Sequence, residues 1–381
     1  MDFAAAGLLD GLEGNERSAR ERLLERLAAD GFSLQELKDA VAEDRLALLP
    51  VERVLGGRYS AAEIEQQTGV PADLMLRVQR LLGLPEPGPD EKVFGEADAE
   101  AARATMQFLE AGFSEDAIAE ITRVLGEGMA RLAATITAAF ADAFLKPGDS
   151  EEDVALRFVA LTQQFTPAVR PVLVAAFNQH LRDSVRRGVI GRAELESGTF
   201  AGSQEITVCF ADLVGFTRLG GEVEADELGT VAGRFVGLAT EVAEPPVRLV
   251  KTIGDAAMFV SPDPGPLVAA ALSLQEAVEA AELPMVRAGA AFGPALFRAG
   301  DYYGHAVNLA SRVTGIARPG SVLCTQEVRD AASEEFDWSF AGRHRLKGIG
   351  HPVPLYRARG AQAEVPAKRP TRDRRRRRAA S

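Results

Sequence analysis

Residues 205–217 read Glu-Ile-Thr-Val-Cys-Phe-Ala-Asp-Leu-Val-Gly-Phe-Thr. The run Glu205–Ala211 is short, apolar and β-branched, as a strand requires, and Gly215 then offers the chain a tight turn into a helix. Asp212 is thus a carboxylate at a strand end, immediately ahead of a glycine turn. Outward from this point, Val247–Thr252, Ala256–Val260, Val286–Phe292 and Ser321–Thr325 have the same strand character. Between them Glu224–Glu241, Gly265–Glu282 and His305–Ala317 have helical spacing.

That order of elements predicts an α+β sheet with helices on one face, close to the ferredoxin-like arrangement. The chain before it has another texture. From residue 1 to about 190 apolar residues recur every three or four positions, as in Leu23, Leu24 and Leu27 and again in Leu34, Leu37 and Val41. Ser33 with Glu36, and Ser60 with Glu63, fit capping boxes. Gly31-Phe32-Ser33 and Gly112-Phe113-Ser114 each close one helix and open the next, and Leu84–Pro89 reads as a hinge. Phe158, Leu161, Phe165, Val169, Leu173, Phe177 and Leu181 line one side of a helical connector, where Pro167 and Pro171 predict a helix start or a kink. The organisation expected is an all-α region over 1–157, a connector over 158–203, a mixed domain over 204–360 and a basic, disordered tail over 361–381.

The chain has 381 residues, long enough for two domains, and its 46% hydrophobic and 26% charged content excludes wholesale disorder. Acidic residues outnumber basic ones by 55 to 43, giving a net charge of −12. Residues 1–150 hold 28 acidic and 15 basic side chains, which disfavours nucleic acid as a main partner. The tail, with Arg374–Arg378 consecutive, has the opposite sign; weak contact with anionic lipid or nucleic acid is the most it implies. Cys209 and Cys324 both lie in strand-like runs, which argues for free thiols in a reducing compartment. With no 18-residue apolar run and no secretory pattern at the N-terminus, the expectation is a cytoplasmic protein.

Four local signals bear on chemistry. Around Asp212–Thr217, turn N–H groups can face a phosphate while the carboxylate holds a bridging cation. Lys251-Thr252-Ile253-Gly254-Asp255 lies between two strands, where Gly254 suits a hairpin that brings Asp255 across from Asp212. Two converging aspartates fit a two-cation phosphoryl-transfer site. Asn308 and Arg312, four apart on a helix, share a face suited to a ribose and to a phosphate whose charge grows in the transition state. Lys347, in the glycine loop Arg345–Gly350, can hold a polyphosphate as a point charge. Taken singly, each also has a plain structural reading: a capping aspartate, an ordinary Gly-Asp hairpin, a solvated polar pair and a surface lysine.

Together these residues make the region 205–359 resemble the catalytic domain of class III adenylyl cyclases. The resemblance implies that Asp212 and Asp255, with the Leu213 carbonyl, hold two Mg²⁺ or Mn²⁺ ions. Lys251 and Asp301 would recognise adenine, Asn308 orient the ribose, Arg312 stabilise the transition state and Lys347 bind the triphosphate, with Phe216 and Thr217 contributing from the turn. It further implies ATP as substrate, 3′,5′-cyclic AMP and pyrophosphate as products, and a homodimer with composite active sites. A lysine donor beside an acceptor aspartate suits adenine, whose amino group donates where guanine's carbonyl accepts.

The helical half admits two readings. Tyr59 through Leu84-Pro85 resembles a MerR-like helix-turn-helix, which would make the protein a nucleotide-binding transcription regulator. Glu63, Glu65 and Asp73 fall in the would-be recognition region and oppose it. The whole chain more closely resembles bacterial two-domain adenylyl cyclases whose helical domain restrains the catalytic one, some switched by pH and some binding fatty acid. His180, His305, His344 and His351 show no metal-ligand spacing. His180, beside Arg182 and Asp183 on the connector, is the candidate pH sensor. A non-catalytic nucleotide sensor would have no use for transition-state groups such as Arg312.

Overall fold

The structure, a computed structural model, describes residues 1–186 and 203–360. They belong to two compact units that divide near residue 191. The Gly198–Ser203 loosening, except Ser203 itself, and the arginine tail lie outside the described residues.

The first unit is helical: α1 Gly14–Ala29, α2 Leu34–Ala42, α3 Leu49–Leu55, α4 Ala61–Thr68, α5 Ala72–Leu81, α6 Glu96–Glu110, α7 Glu115–Phe144 and α8 Glu151–Arg186. Both capping boxes form. Ser33 Oγ accepts from the Glu36 N–H at 3.3 Å while the Glu36 carboxylate accepts from the Ser33 N–H at 2.6 Å; Ser60 and Glu63 do the same. Leu23, Leu24, Leu27 and Leu37 are fully buried in one small core with Phe32, Leu46, Leu49 and Ala155. Ile64, Val70, Met75 and Phe94 form a second core under the α4–α5 pair, which Gly69 joins in the left-handed conformation at φ +74°. A single antiparallel bridge, Tyr59 to Phe94, is the strand-like pairing found in this region. The α7–α8 turn is clipped by Arg157, which donates to the Phe144 carbonyl at 2.7 Å and pairs with Asp149, holding that carboxyl down to about 2.

One alternative for the connector falls away. Helix α8 runs through both Pro167 and Pro171, so neither begins a helix. Its apolar side is buried only at the start: Phe158 is 9% exposed, whereas Phe177 is 65% and Val185 70% exposed. Helix α7 is, by length and composition alone, apolar enough to cross a membrane, although no such span is evident in its sequence as an unbroken apolar run.

The second unit is an eight-stranded sheet. Its strands are β1 Ser203–Leu213, β2 Arg248–Ile253, β3 Ala256–Ser261, β4 Val286–Arg298, β5 Asp301–Tyr303, β6 Ser321–Thr325, β7 Phe336–His344 and β8 Val353–Gly360. They lie in the order β2-β3-β1-β4-β6-β8-β7, with β5 paired to the far end of β4. All neighbours are antiparallel except β4 and β6, which a helix connects. The helices are α9 Phe216–Leu219, α10 Ala225–Glu241, α11 Pro264–Ala280, α12 His305–Ile316 and α13 Gln326–Ala331.

Helices cover both faces of this sheet, not one. Alternate residues of β1 enter different cores. Cys209, Ala211 and Leu213 pack with Phe235 of α10 and Leu267 and Leu274 of α11, whereas Ile206 and Val208 pack with Leu309, Ala310 and Val313 of α12. A central strand apolar on both sides needs cover on both. Gly289 lets α12 lie directly on β4, because a Cβ there would come within 2.2 Å of the Thr314 nitrogen. Cys209 and Cys324 are buried free thiols, and burial pushes the Cys209 thiol up to about 12.

Candidate active site

The centre of the site follows from strand register. Asp212, near the end of β1, lies opposite Ala256 of β3, so Asp255 at the tip of the β2–β3 hairpin falls beside it. Gly254 makes that hairpin possible at φ +59°. The Leu213 N–H donates to the Asp255 carbonyl at 3.0 Å, which fixes the two aspartate-bearing segments to each other, and the Val214 N–H donates to the Met285 carbonyl at 2.8 Å, which ties the same turn to the start of β4. Gly215, at φ +82°, then turns the chain into α9.

The two carboxylates crowd one another. Burial first, and then the neighbouring Asp212 charge, push the Asp255 carboxyl above its ordinary value, against the pull of Arg287. Arg287 joins them without any local sequence signal that marks it. It is the register partner of Asp212 on β4, and its Nε donates to Asp212 Oδ2 at 3.0 Å with Nη2 on the same oxygen. An anionic pair at the rim of a sheet, half-neutralised by one guanidinium, is chemically suited to a hard divalent cation. Among the described residues no cluster of three or more His, Cys, Asp or Glu side chains forms. A cation here would therefore draw further ligands from backbone carbonyl, water or phosphate oxygen. The donor set fits that use.

A second group joins β2 to β5. Lys251 of β2 and Asp301 of β5, fifty residues apart in sequence, form an ion pair. The other carboxylate oxygen of Asp301 accepts from the Tyr302 N–H at 2.8 Å. Asn308 and Arg312 stand exposed one turn apart on α12, whose Leu309 and Val313 are buried on its opposite side. Gly304 starts this helix at φ +151°, where a Cβ would come within 2.8 Å of the Pro294 carbonyl oxygen. Lys347 is exposed in the β7–β8 loop, beside buried Leu346 and left-handed Gly348. The Phe216 ring packs against the α10–α11 core, while Thr217 is exposed on α9.

Known families match both halves of the chain. The adenylate cyclase regulatory domain family matches residues 1–185, and the adenylate and guanylate cyclase catalytic domain family matches residues 200–357. A pH-sensitive adenylate cyclase of Mycobacterium tuberculosis is 41% identical over 363 residues, covering 92% of this chain and 91% of that protein. An adenylate cyclase of Streptomyces coelicolor is 35% identical, covering 83% of this chain and 84% of its own length. The crystal structure of the adenylyl cyclase CyaB from P. aeruginosa aligns with 43% of this chain and 97% of its own at 22% identity and a TM-score of 0.40, too slight a likeness to bear on the assignment. Full-length similarity to the mycobacterial enzyme, across both matched regions, shows that the chain belongs to the class III adenylate cyclases, with the family's regulatory domain ahead of its catalytic domain.

Proposed function

We propose that the enzyme converts ATP to 3′,5′-cyclic AMP and pyrophosphate at a site built for two divalent cations, Mg²⁺ or Mn²⁺. The observation that supports this most is the meeting of Asp212 and Asp255 at adjoining strand ends, in the sheet that also carries the Lys251–Asp301 pair. In the reaction the ribose 3′-oxygen bonds to the α-phosphorus, the bond to pyrophosphate breaks, and the hydroxyl proton leaves to solvent. Cations bound there would lower the pKa of the hydroxyl and neutralise phosphate charge. Asp212, Asp255 and the Leu213 carbonyl hold them, and Arg287 fixes the Asp212 carboxylate. Arg312 offsets charge on the pentavalent phosphorus, Asn308 orients the ribose, and Lys347 holds the triphosphate. Backbone N–H groups of the turn at Phe216 and Thr217 face the phosphates.

The direct test is product analysis. Purified protein incubated with ATP and Mn²⁺ should yield cyclic AMP and pyrophosphate in equal amounts, and ADP or unchanged ATP would refute the reading. Base choice has its own test. Lys251→Ala and Asp301→Ala should each lower the preference for ATP over GTP by about tenfold to a hundredfold, the worth of a hydrogen bond to a charged group. Equal losses for the two nucleotides would remove these residues from base recognition.

The dimer and the regulatory role of residues 1–186 belong to the same proposal. The mycobacterial relative is named pH-sensitive, and this chain matches it through the helical half as well as the catalytic half. His180 is exposed on α8 and stands as the proposed sensor. Fatty acid binding in the helical half would use the cleft lined by Leu74, Val78, Leu81, Leu109 and Ile118. A cytoplasmic setting suits a chain whose two thiols are free and buried. DNA binding by the α4–α5 pair has no comparable support, since Glu63 there caps α4 and pairs with Lys92 at 2.9 Å. A fragment beginning at Ser203 should differ from the full chain in activity and in pH profile between about pH 5.5 and 8, the range in which histidine titrates. Identical activities and parallel profiles would exclude regulation by the helical half.

A further inference from the structure

We infer that Tyr302 is a positioning residue for base selection: its buried hydroxyl ties down the short strand that carries Asp301 and so sets how sharply the enzyme tells ATP from GTP. This rests on the reading of Lys251 and Asp301 as the adenine-recognising pair.

Strand β5 is only three residues long and has a single strand neighbour. Its register on β4 pairs Arg298 with Asp301, Phe297 with Tyr302 and Leu296 with Tyr303. The connection is a two-residue turn, Ala299-Gly300, with both residues at positive φ, +51° and +78°. So short a ladder gives little hold on where Asp301 points, since an isolated two-stranded ribbon is marginal in water. The hold comes from Tyr302. It is 5% exposed, and its ring lies 4.9 Å from that of Phe297, centroid to centroid. The Arg248 guanidinium is 5.7 Å from the same centroid.

The Tyr302 hydroxyl accepts from Arg248 Nη2 and from Gln204 Nε2, the latter at 3.2 Å. Arg248 opens β2, three residues before Lys251. Gln204 lies near the start of β1, the strand that carries Asp212 near its other end. One phenol oxygen therefore joins the strands that present the base-pairing lysine, the base-pairing aspartate and the cation-holding aspartate. Successive residues of a strand face opposite ways, so Tyr302 can anchor into the core while Asp301 points to Lys251. The Tyr302 N–H also holds Asp301 Oδ1, leaving the carboxylate little freedom to turn.

An acceptor that must meet adenine's amino group and repel guanine's carbonyl discriminates only while it is held in place. Displacement of about an ångström at a reacting site is enough to cost a hundredfold in rate.

The test compares kcat/KM for ATP and GTP in the full-length enzyme. Tyr302→Phe keeps the ring and removes the oxygen. It should lower the ATP-to-GTP ratio by about tenfold, mainly through a higher KM for ATP, as expected for one hydrogen bond to a charged donor. Arg248→Met, which leaves the phenol in place, should move the ratio the same way and covers the case in which Tyr302→Phe fails to fold. Combining Tyr302→Phe with Asp301→Ala should add nothing to the ratio change of Asp301→Ala alone, because the tyrosine acts through the aspartate. A loss shared equally by both nucleotides would reduce Tyr302 to a packing residue and overturn the inference. If Asp301→Ala collapses the ratio while Tyr302→Phe and Arg248→Met keep it, the positioning role alone fails. An unchanged ratio in Asp301→Ala would defeat both readings at once.

Discussion

Asp212→Ala should lower cyclic AMP formation by about two to three orders of magnitude, the usual cost of losing one preorganised group that stabilises transition-state charge. The size of the loss follows from how the site is built. Asp212 and Asp255 meet because β1 and β3 are adjacent and the β2–β3 hairpin turns at Gly254. Their mutual repulsion, which with the burial of Asp255 keeps its carboxyl above the ordinary value, would be offset by a bound cation. With alanine at 212, Arg287 loses its carboxylate partner and lies unopposed beside the position a cation would occupy. The variant should fold, because Asp212 is only half-buried at the end of its strand. Two measurements separate lost chemistry from lost structure. The first is turnover at saturating ATP and Mn²⁺. The second is the melting temperature with and without Mn²⁺, which should rise on adding the ion in the native enzyme and stay flat in Asp212→Ala. Near-native turnover in the variant would remove Asp212 from the cation site.

Much of this site was legible because its chemistry is local in sequence. Asp212 with Gly215, Gly254 with Asp255, and Asn308 with Arg312 each occupy one strand end, one turn or one helical turn, and short-range spacing reports such geometry directly. What depends on register was not legible. Nothing in Met285-Val286-Arg287-Ala288-Gly289 marks Arg287 as a partner of Asp212, since the pairing exists only once β4 lies against β1. The anchor at Tyr302 is hidden for the same reason: Gln204, Arg248 and Tyr302 come from three separate strands. Strands β7 and β8 escaped notice because their half-exposed residues and arginines blur the alternation on which a strand reading depends. The strand expected over Val286–Phe292 runs on through Gly293 and Pro294 to Arg298, and so is long enough to pair with β5. The two-sided cover of the sheet was misjudged because a helix's place in sequence does not say which face its strands leave bare. Along α8 the prolines do not start a helix, since a helix can give up single hydrogen bonds and continue.

Mixing Asp212→Ala chains with Arg312→Ala chains should restore activity to about a quarter of the native rate, because random pairing makes half the dimers mixed and each mixed dimer keeps one intact site of two. Each variant alone should be nearly inactive, so the expected gain is large against a low background. Asp212, Asp255 and Arg287 form one hydrogen-bonded and charge-coupled group, whereas Asn308 and Arg312 are exposed on α12, open to a second copy of the chain. If an isologous dimer places the aspartates of one protomer against the Asn and Arg of the other, two variants damaged in different halves of the site can share one undamaged pair of halves. If instead all these residues served a site within one protomer, no mixture would contain an intact site and the rate would stay at the background. The control mixes Asp212→Ala with Asp255→Ala. These damage the same half, so every site in that mixture lacks an aspartate and no recovery should occur. Recovery in that control would mean that the two aspartates of one site come from different protomers, so that the site is divided otherwise than proposed; recovery in the first mixture alone would establish the composite site.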